Sequence, residues 1–377
     1  MIKNLTFEAV QLLKEMIAIP STSFNEDAVC SHISRWMTEH EIEHERVGNN
    51  IIAENIVDSS LPTIMLCAHI DTVSPTDGYS FDPYNPDYQT AAAAISYIHG
   101  EALSAEDIVA GLGSNDDGAS VVSMLAAYRY LTSSDRGRYN IILALTCEEE
   151  RSGKGGMTGL WGSRIGSRMD AKEGCSPVDF AIVGEPTGMK AAIAERGLLV
   201  IDAVAEGVSG HAARNEGVNA LYIAMEDIQA LRTHVFEKVS SRMGKVNLNV
   251  TQINAGSAHN VIPDRCSFVI DIRPTEQYTN QEILDELQAL CKSKITPRNL
   301  LNQSSATFED SPLQKTAEAL GIEIFSSPTT SDWMRIDCDA IKMGPGDSAR
   351  SHKKDEYVTV EEISHGIKTY IDFISKL

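Results

Sequence analysis

Apolar residues recur along the chain in two distinct periods. Leu5, Val10, Leu12, Leu13, Met16 and Ile17 fall at helical spacing, so the spacing predicts a first helix that ends before Pro20. A second amphipathic helix is expected over 26–40. Unbroken apolar runs of strand length follow at 63–67 (TIMLC), 140–146 (NIILALT) and 179–183 (DFAIV). Between the first two lies GASVVSMLAAYRYL, 118–131, which reads as a helix that starts just after a glycine-flanked acidic turn. Strands that are apolar on both faces and alternate with helices predict an α/β sheet covered on both sides.

The texture changes after Met189. Stretches of apolar and polar alternation at 191–205, 245–253 and 265–273 surround two helix candidates, 217–235 and 279–294. That is the pattern of an α+β unit built on an antiparallel sheet. From Ser311 the helix–strand alternation resumes, with IKMGPG at 341–346 and a final helix over 360–376. The expected organisation is a mixed-sheet α/β/α domain made of 1–188 and 311–377, interrupted by an α+β domain over 189–310.

Charge narrows the partners. A formal net charge of −21 repels nucleic acid and anionic membrane surfaces, so neither is expected to bind. No run of about 18 apolar residues is present to span a bilayer, and the first residues lack the apolar stretch and small-residue cleavage site of a signal peptide. The seven cysteines (30, 67, 147, 175, 266, 291 and 338) are scattered and never form a C-x-x-C pair. They read as reduced thiols of a cytoplasmic protein, not as a disulfide frame or a thiolate metal site.

Three signals carry chemistry, and each follows a predicted strand, where α/β sheets place their sites. His69-Ile-Asp71 follows TIMLCA; residues two apart on an extended backbone share a face, so one can ligate while the other supports it. GLGSNDDG, 111–118, holds Asp116-Asp117 just before a helix. Glu148-Glu149-Glu150 follows NIILALTC. Singly, each has a structural explanation, since paired aspartates cap helices and glutamates favour helix starts. Together they offer hard oxygen and imidazole donors suited to zinc, cobalt or manganese.

Through these motifs the sequence resembles the co-catalytic zinc amidohydrolases, the family of acetylornithine deacetylase, succinyl-diaminopimelate desuccinylase, aminoacylase and the glutamate carboxypeptidases. HIDTV is similar to the family's H-x-D segment, GLGSNDDG to its glycine-flanked D-D or D-M segment, and TCEEE to its T-x-D-E-E. VGEPT, 183–187, and GPGDSARSHKKDEYV, 344–358, resemble two further family elements. The chain departs from the pattern at Leu112, at Gly118-Ala119 and at Glu148.

The resemblance implies two zinc ions, with cobalt as the alternative metal. Asp116 would bridge them, His69 and Glu185 would complete one site, and Glu150 and His352 the other. Glu149 would be the general base and Asp71 a support for its neighbours. The Asp116–Asp117 peptide would be cis. This register aligns Thr146 with the family threonine; a slip of one residue would select Glu148 and Glu149 instead.

The middle of the chain carries its own resemblance. GVSGHAARNEGVNA, 207–220, is similar to the segment from which a family histidine reaches the active site of a dimer partner. His211 is therefore the expected oxyanion donor, with helix capping as its structural alternative. NVIP at 260–263 followed by Arg273 resembles the element that contacts the substrate carboxylate, which suggests Asn260 and Arg273; a salt-bridged Arg273 is the alternative. Trp333 and the segment 330–332 fall where the family places a substrate-specificity loop. The implied inserted domain is a ferredoxin-like lid that forms a homodimer. The implied reaction is amide hydrolysis of a small N-acyl amino acid, most like acetylornithine deacetylase. A desuccinylase, a dipeptidase or a carboxypeptidase are alternatives, as is a non-enzymatic binder on the same fold.

Overall fold

The structure is a computed structural model that describes residues 2–100, 102–133, 138–168, 175–214 and 216–377. The chain divides into two compact units. One comprises 1–193, 307–325 and 331–377, and the other 194–306 with 326–330.

The first unit is built around a mixed sheet of β1 (Glu45–Val47), β2 (Asn50–Asn55), β3 (Thr63–His69), β4 (Asn140–Thr146), β5 (Phe180–Val183), β6 (Ala191–Glu195) and β7 (Asp339–Lys342). Their order is β1-β2-β4-β3-β5-β7-β6. The pairs β3–β4, β3–β5 and β5–β7 run parallel, while β1–β2, β2–β4 and β7–β6 run antiparallel.

Every residue of β3 and β4 is buried, and their period-two alternation sends side chains into two separate cores. Ile64, Leu66, Ala68, Ile141, Leu143 and Leu145 pack beneath α1 (Ile2–Ile17), α3 (Ala119–Thr132) and α4 (Val360–Lys376). Met65, Cys67, Ile142 and Ala144 pack on the opposite face with Trp333. Between α1 and β1 lies α2 (Asp27–Glu39). A capping box between Thr359 and Glu362 fixes the start of α4.

The β1–β2 hairpin and the helix Tyr88–His99 are among the elements outside the sequence expectation. The β1–β2 hairpin turns at Gly48 (φ 63°), and β1 presents mostly exposed polar residues, so it has no apolar signature. Among its described residues the helix Tyr88–His99 buries Ala91, Ala92 and Ile95, a face too small to give a clear period.

The second unit is an antiparallel sheet in the order Asn247–Ala255, Arg265–Arg273, Leu199–Glu206, Lys294–Pro297. The helices Ala220–Thr233 and Asn280–Leu290 pack against it. Leu199–Glu206 alternates buried and more exposed positions along its length, as the sequence pattern requires. The predicted stretch 191–205 is in fact two strands, broken at 196–198, and the first of them (β6) belongs to the larger sheet. Among the described residues, no helix is long and apolar enough to cross a membrane.

Candidate metal centre

The candidate donors come from the ends of three parallel strands and from two loops that fold over them. His69 is the last residue of β3 and is buried. Its Nδ1 donates to the backbone carbonyl of Asp71 at 3.0 Å. That bond fixes the tautomer and turns Nε2 toward Asp116, 3.2 Å away.

After β4 the chain reverses at Glu148 (φ 60°). The Glu148 carboxylate leaves the site and accepts the Gly155 N–H at 2.8 Å. The next two residues are held by Asp71, whose carboxylate accepts the N–H of Glu149 at 3.0 Å and of Glu150 at 3.2 Å. Ser23 Oγ donates to the same carboxylate at 2.6 Å. The buried Asp71 thus ties the strand carrying His69 to the turn carrying the glutamates.

Asp116 lies in the turn between Gly113 and α3, and the Asp116–Asp117 peptide is cis. Glu185 follows β5 by two residues. Gly184 before it has no room for a side chain, because a Cβ there would meet Ser120 Cβ at 2.6 Å and Asp117 Oδ2 at 2.9 Å. His352 sits in a left-handed turn (φ 57°) and sets Nε2 3.0 Å from Glu150 Oε1 and 3.7 Å from Asp116 Oδ2.

Donor atoms of His69, Glu149 and Glu185 lie within 4.8 Å of one another, as do those of His69, Asp116 and Glu150. His352 joins the second group through Glu150. The fold therefore gathers His69, Asp116, Glu149, Glu150, Glu185 and His352 into one place, with Asp71 directly behind, and leaves Glu148 out.

Burial governs the electrostatics. It pushes the carboxyls of Glu149 and Glu185 well above the usual range, reinforced at Glu149 by Asp332 and Glu150 and at Glu185 by Asp116. Burial likewise raises Asp117 to about 8. His352 is raised to about 9, chiefly by its hydrogen bond to Glu150. Burial opposes the charged form of His69, yet its bonds to Asp116 and Asp71 outweigh that and raise it.

So many buried carboxylates around two imidazoles make a strongly electronegative nest, and both Asp117 oxygens lack a hydrogen-bond partner. Divalent cations would resolve this repulsion. The donors are hard oxygens and imidazole, with Cys67 set beneath them 4.0 Å from Asp332, which fits zinc, cobalt or manganese better than a soft-metal site.

Three supporting residues escaped the sequence reading. Asp332 accepts from Thr146 Oγ1 at 2.7 Å beneath β4. Glu26 accepts the N–H groups of Phe24 at 2.6 Å and Glu148 at 3.2 Å. Glu356 accepts from the turn of Asp116. Only Asp332 and Glu356 had a signal, as members of segments already noted. Trp333 is a core residue, 1% exposed, and not part of a specificity surface.

In the second unit, His211 is exposed and pairs with Val261 across a two-residue ladder. Its Nδ1 accepts the Ala213 N–H at 3.2 Å, so the proton resides on Nε2 as an outward donor. The same bond caps the 212–214 turn. Asn260 lies beside it, its carbonyl accepting the Ala212 N–H at 3.0 Å.

Arg273 is placed differently. Its fork closes on Asp271, at 2.9 Å from Nε and 3.2 Å from Nη2. It ends the strand whose other end, Arg265, adjoins the Asn260 segment; eight steps of extended chain put about 26 Å between those ends. The second unit thus brings His211 and Asn260 together but not Arg273.

A buried nest of this donor set, at the C-terminal ends of parallel strands in a mixed α/β sheet, defines a metal-dependent hydrolase. Residues 193–298 match the peptidase dimerisation domain, and residues 50–179 match peptidase family M28. An acetylornithine deacetylase of Aliivibrio fischeri is 26% identical over 93% of this chain and 90% of its own. A probable carboxypeptidase of Emericella nidulans is 22% identical over 97% and 88%. Among solved structures, aminopeptidase PepT of Bacillus cereus superposes with a TM-score of 0.72 at 17% identity, covering 98% of each chain. A dinuclear metal binding peptidase of the M20 family from Bacillus subtilis gives 0.70 at 15% identity, over 99% and 98%. The chain is thus similar, along nearly its whole length, to metal-dependent hydrolases of the M20 type.

Proposed function

We propose that this hydrolase cleaves the amide bond of a small N-acyl amino acid, with N-acetylornithine as the leading substrate. The gathering of His69, Asp116, Glu149, Glu150, Glu185 and His352 carries the reading. The long deacetylase alignment supports it as well. Asp116 would be shared between the two metals, His69 and Glu185 would complete one site, and Glu150 and His352 the other. When bound, two zinc or cobalt ions supply an acidified water and polarise the scissile carbonyl.

The protein's own part is positional and protonic. Glu149, held by its backbone against Asp71, takes the proton of the attacking water and passes it to the leaving nitrogen. Asp71 keeps the His69 strand and the Glu149 turn in register. Asn260, beside His211, would contact the substrate. Scattered free cysteines, none of them bridged among the described residues, support a reducing cytoplasmic setting.

A carboxypeptidase or dipeptidase is the second reading, favoured by the full-length likeness to the Emericella protein; a desuccinylase differs only in the acyl pocket. Hydrolysis rates on acetyl- and succinyl-ornithine, -citrulline and -diaminopimelate, set beside dipeptides, decide among these. Acetylated substrate should be preferred, and a clear preference for dipeptides would overturn the deacylase reading.

The dimerisation domain supports a homodimer. Its edge strand Asn247–Ala255 exposes Ile253 (52%), and the helix Ala220–Thr233 exposes Tyr222 (63%) and Met225 (55%), apolar groups suited to a second copy. We assign His211 as the oxyanion donor, acting across that dimer. His211→Ala should bind metals normally and lose about 10²–10³ in turnover. Mixing it with Glu149→Gln should restore activity, since one site in each heterodimer then carries neither defect. Verified heterodimers that stay inactive would exclude action in trans.

A further inference from the structure

The segment that delivers His352 performs a second task four residues later. Glu356 is 2% exposed. Its Oε1 accepts the backbone N–H of Asn115 at 2.9 Å and of Asp116 at 3.0 Å, and its Oε2 accepts that of Gly113 at 3.2 Å. The Glu356 carbonyl accepts the Gly111 N–H at 2.9 Å. One carboxylate therefore satisfies three donors of a single buried turn, donors that would otherwise lack partners.

The segment is itself anchored. Asp355, in a left-handed conformation (φ 60°), accepts from Ser80 N at 2.6 Å and Ser80 Oγ at 2.9 Å. Upstream, the Asp347 N–H donates to Asn115 Oδ1 at 2.9 Å, and Asn115 Nδ2 donates to the Asp347 carbonyl at 3.1 Å. Gly346 makes that approach possible, because a Cβ there would collide with the Asn115 amide. The 111–116 turn is thus fastened at both ends to the segment bearing His352.

We propose that Glu356 is a positioning residue: it holds the 113–116 turn so that the Asp116 carboxylate stands between His69 and His352. This rests on reading Asp116 as a metal ligand. The carboxylate is required because all three partners are donors. In Glu356→Gln one oxygen becomes an NH2 group facing a backbone N–H, the turn loses a partner, and Asp116 loses its fixed aim.

Glu356→Gln should weaken metal binding about 10–100-fold, the usual cost of removing a group that orients a ligand. Titration of the metal-free protein with zinc reads this directly. Activity lost at limiting zinc should return as zinc is raised, with KM unchanged. Glu362→Gln, which breaks the α4 capping box on the same segment, should lower Tm without moving the zinc constants. Unchanged zinc affinity in folded Glu356→Gln overturns the proposal.

Should that variant fail to fold, hydrogen exchange on the unsubstituted metal-free protein decides. The Gly113, Asn115 and Asp116 amides should be protected as strongly as those of β3, and free exchange overturns the clamp. Asp116→Asn separates the two readings. If it binds two zinc ions as tightly as the native chain, the ligand assignment fails. If it loses zinc while Glu356→Gln does not, only the clamp fails.

Discussion

Glu149→Gln should retain its metals and turn over about 10²–10⁴-fold more slowly, the range that a positioned proton acceptor contributes. Gln is nearly isosteric, and the bond that places residue 149 is made by its backbone N–H to Asp71, 3.0 Å away, so the geometry survives the change. What is lost is the ability to accept a proton. Glu150→Ala acts differently. It removes the group 3.0 Å from His352 Nε2, so occupancy of one metal site should fall. Metal content and single-turnover rates, measured on both variants, separate the roles. Reversed phenotypes would mean that base and ligand have been exchanged, against the turn that points Glu148 away toward Gly155.

Chelation should abolish activity reversibly, with two ions per chain restoring it, and it should also expose a pH dependence that the loaded enzyme hides. In the metal-free protein burial raises the carboxyls of Glu356 and Asp117 to about 8 and that of Asp332 to about 6. A carboxyl whose folded pKa exceeds its unfolded one binds more protons when folded. Stability therefore falls as pH rises from the unfolded values of 4.5 and 3.8 through the folded ones. His352 acts in the same direction. Its added stability is complete below 6.5 and lost as pH rises through about 9.

The metal-free protein should accordingly unfold at lower temperature at pH 8 than at pH 5. Metal binding at His352 needs its imidazole neutral, so the stabilisation by zinc should grow over that interval. At a hundredfold excess over the dissociation constant one ion adds about 2.7 kcal/mol. Thermal unfolding across pH, with and without zinc, measures both. A metal-free protein that gained stability from pH 5 to pH 8 would contradict the buried nest.

By itself the sequence determined the layers and the outline of the site. The runs Ile64–Ala68 in β3 and Ile141–Leu145 in β4 are apolar throughout because both faces of those strands are covered, and that requirement is written locally. The same is true of the alternation in Leu199–Glu206, which has one buried face. His69, Asp116 and the glutamate run were legible because each sets donor-type side chains directly after an apolar strand or within a glycine-flanked turn.

The tertiary structure alone decided what each carboxylate does. Glu148, Glu149 and Glu150 are chemically identical neighbours, and only the reversal at Glu148 sends one to Gly155 and two to the donors. Glu356 lies 240 residues from the Asp116 amide it accepts, and no local period records such a pairing. Arg273 looked free to take a substrate carboxylate until the strand placed Asp271 on the same face, two residues away. Hydrophobic patterning reports which side of an element is dry, whereas a polar side chain's role depends on the donors and charges that the folded chain brings to it.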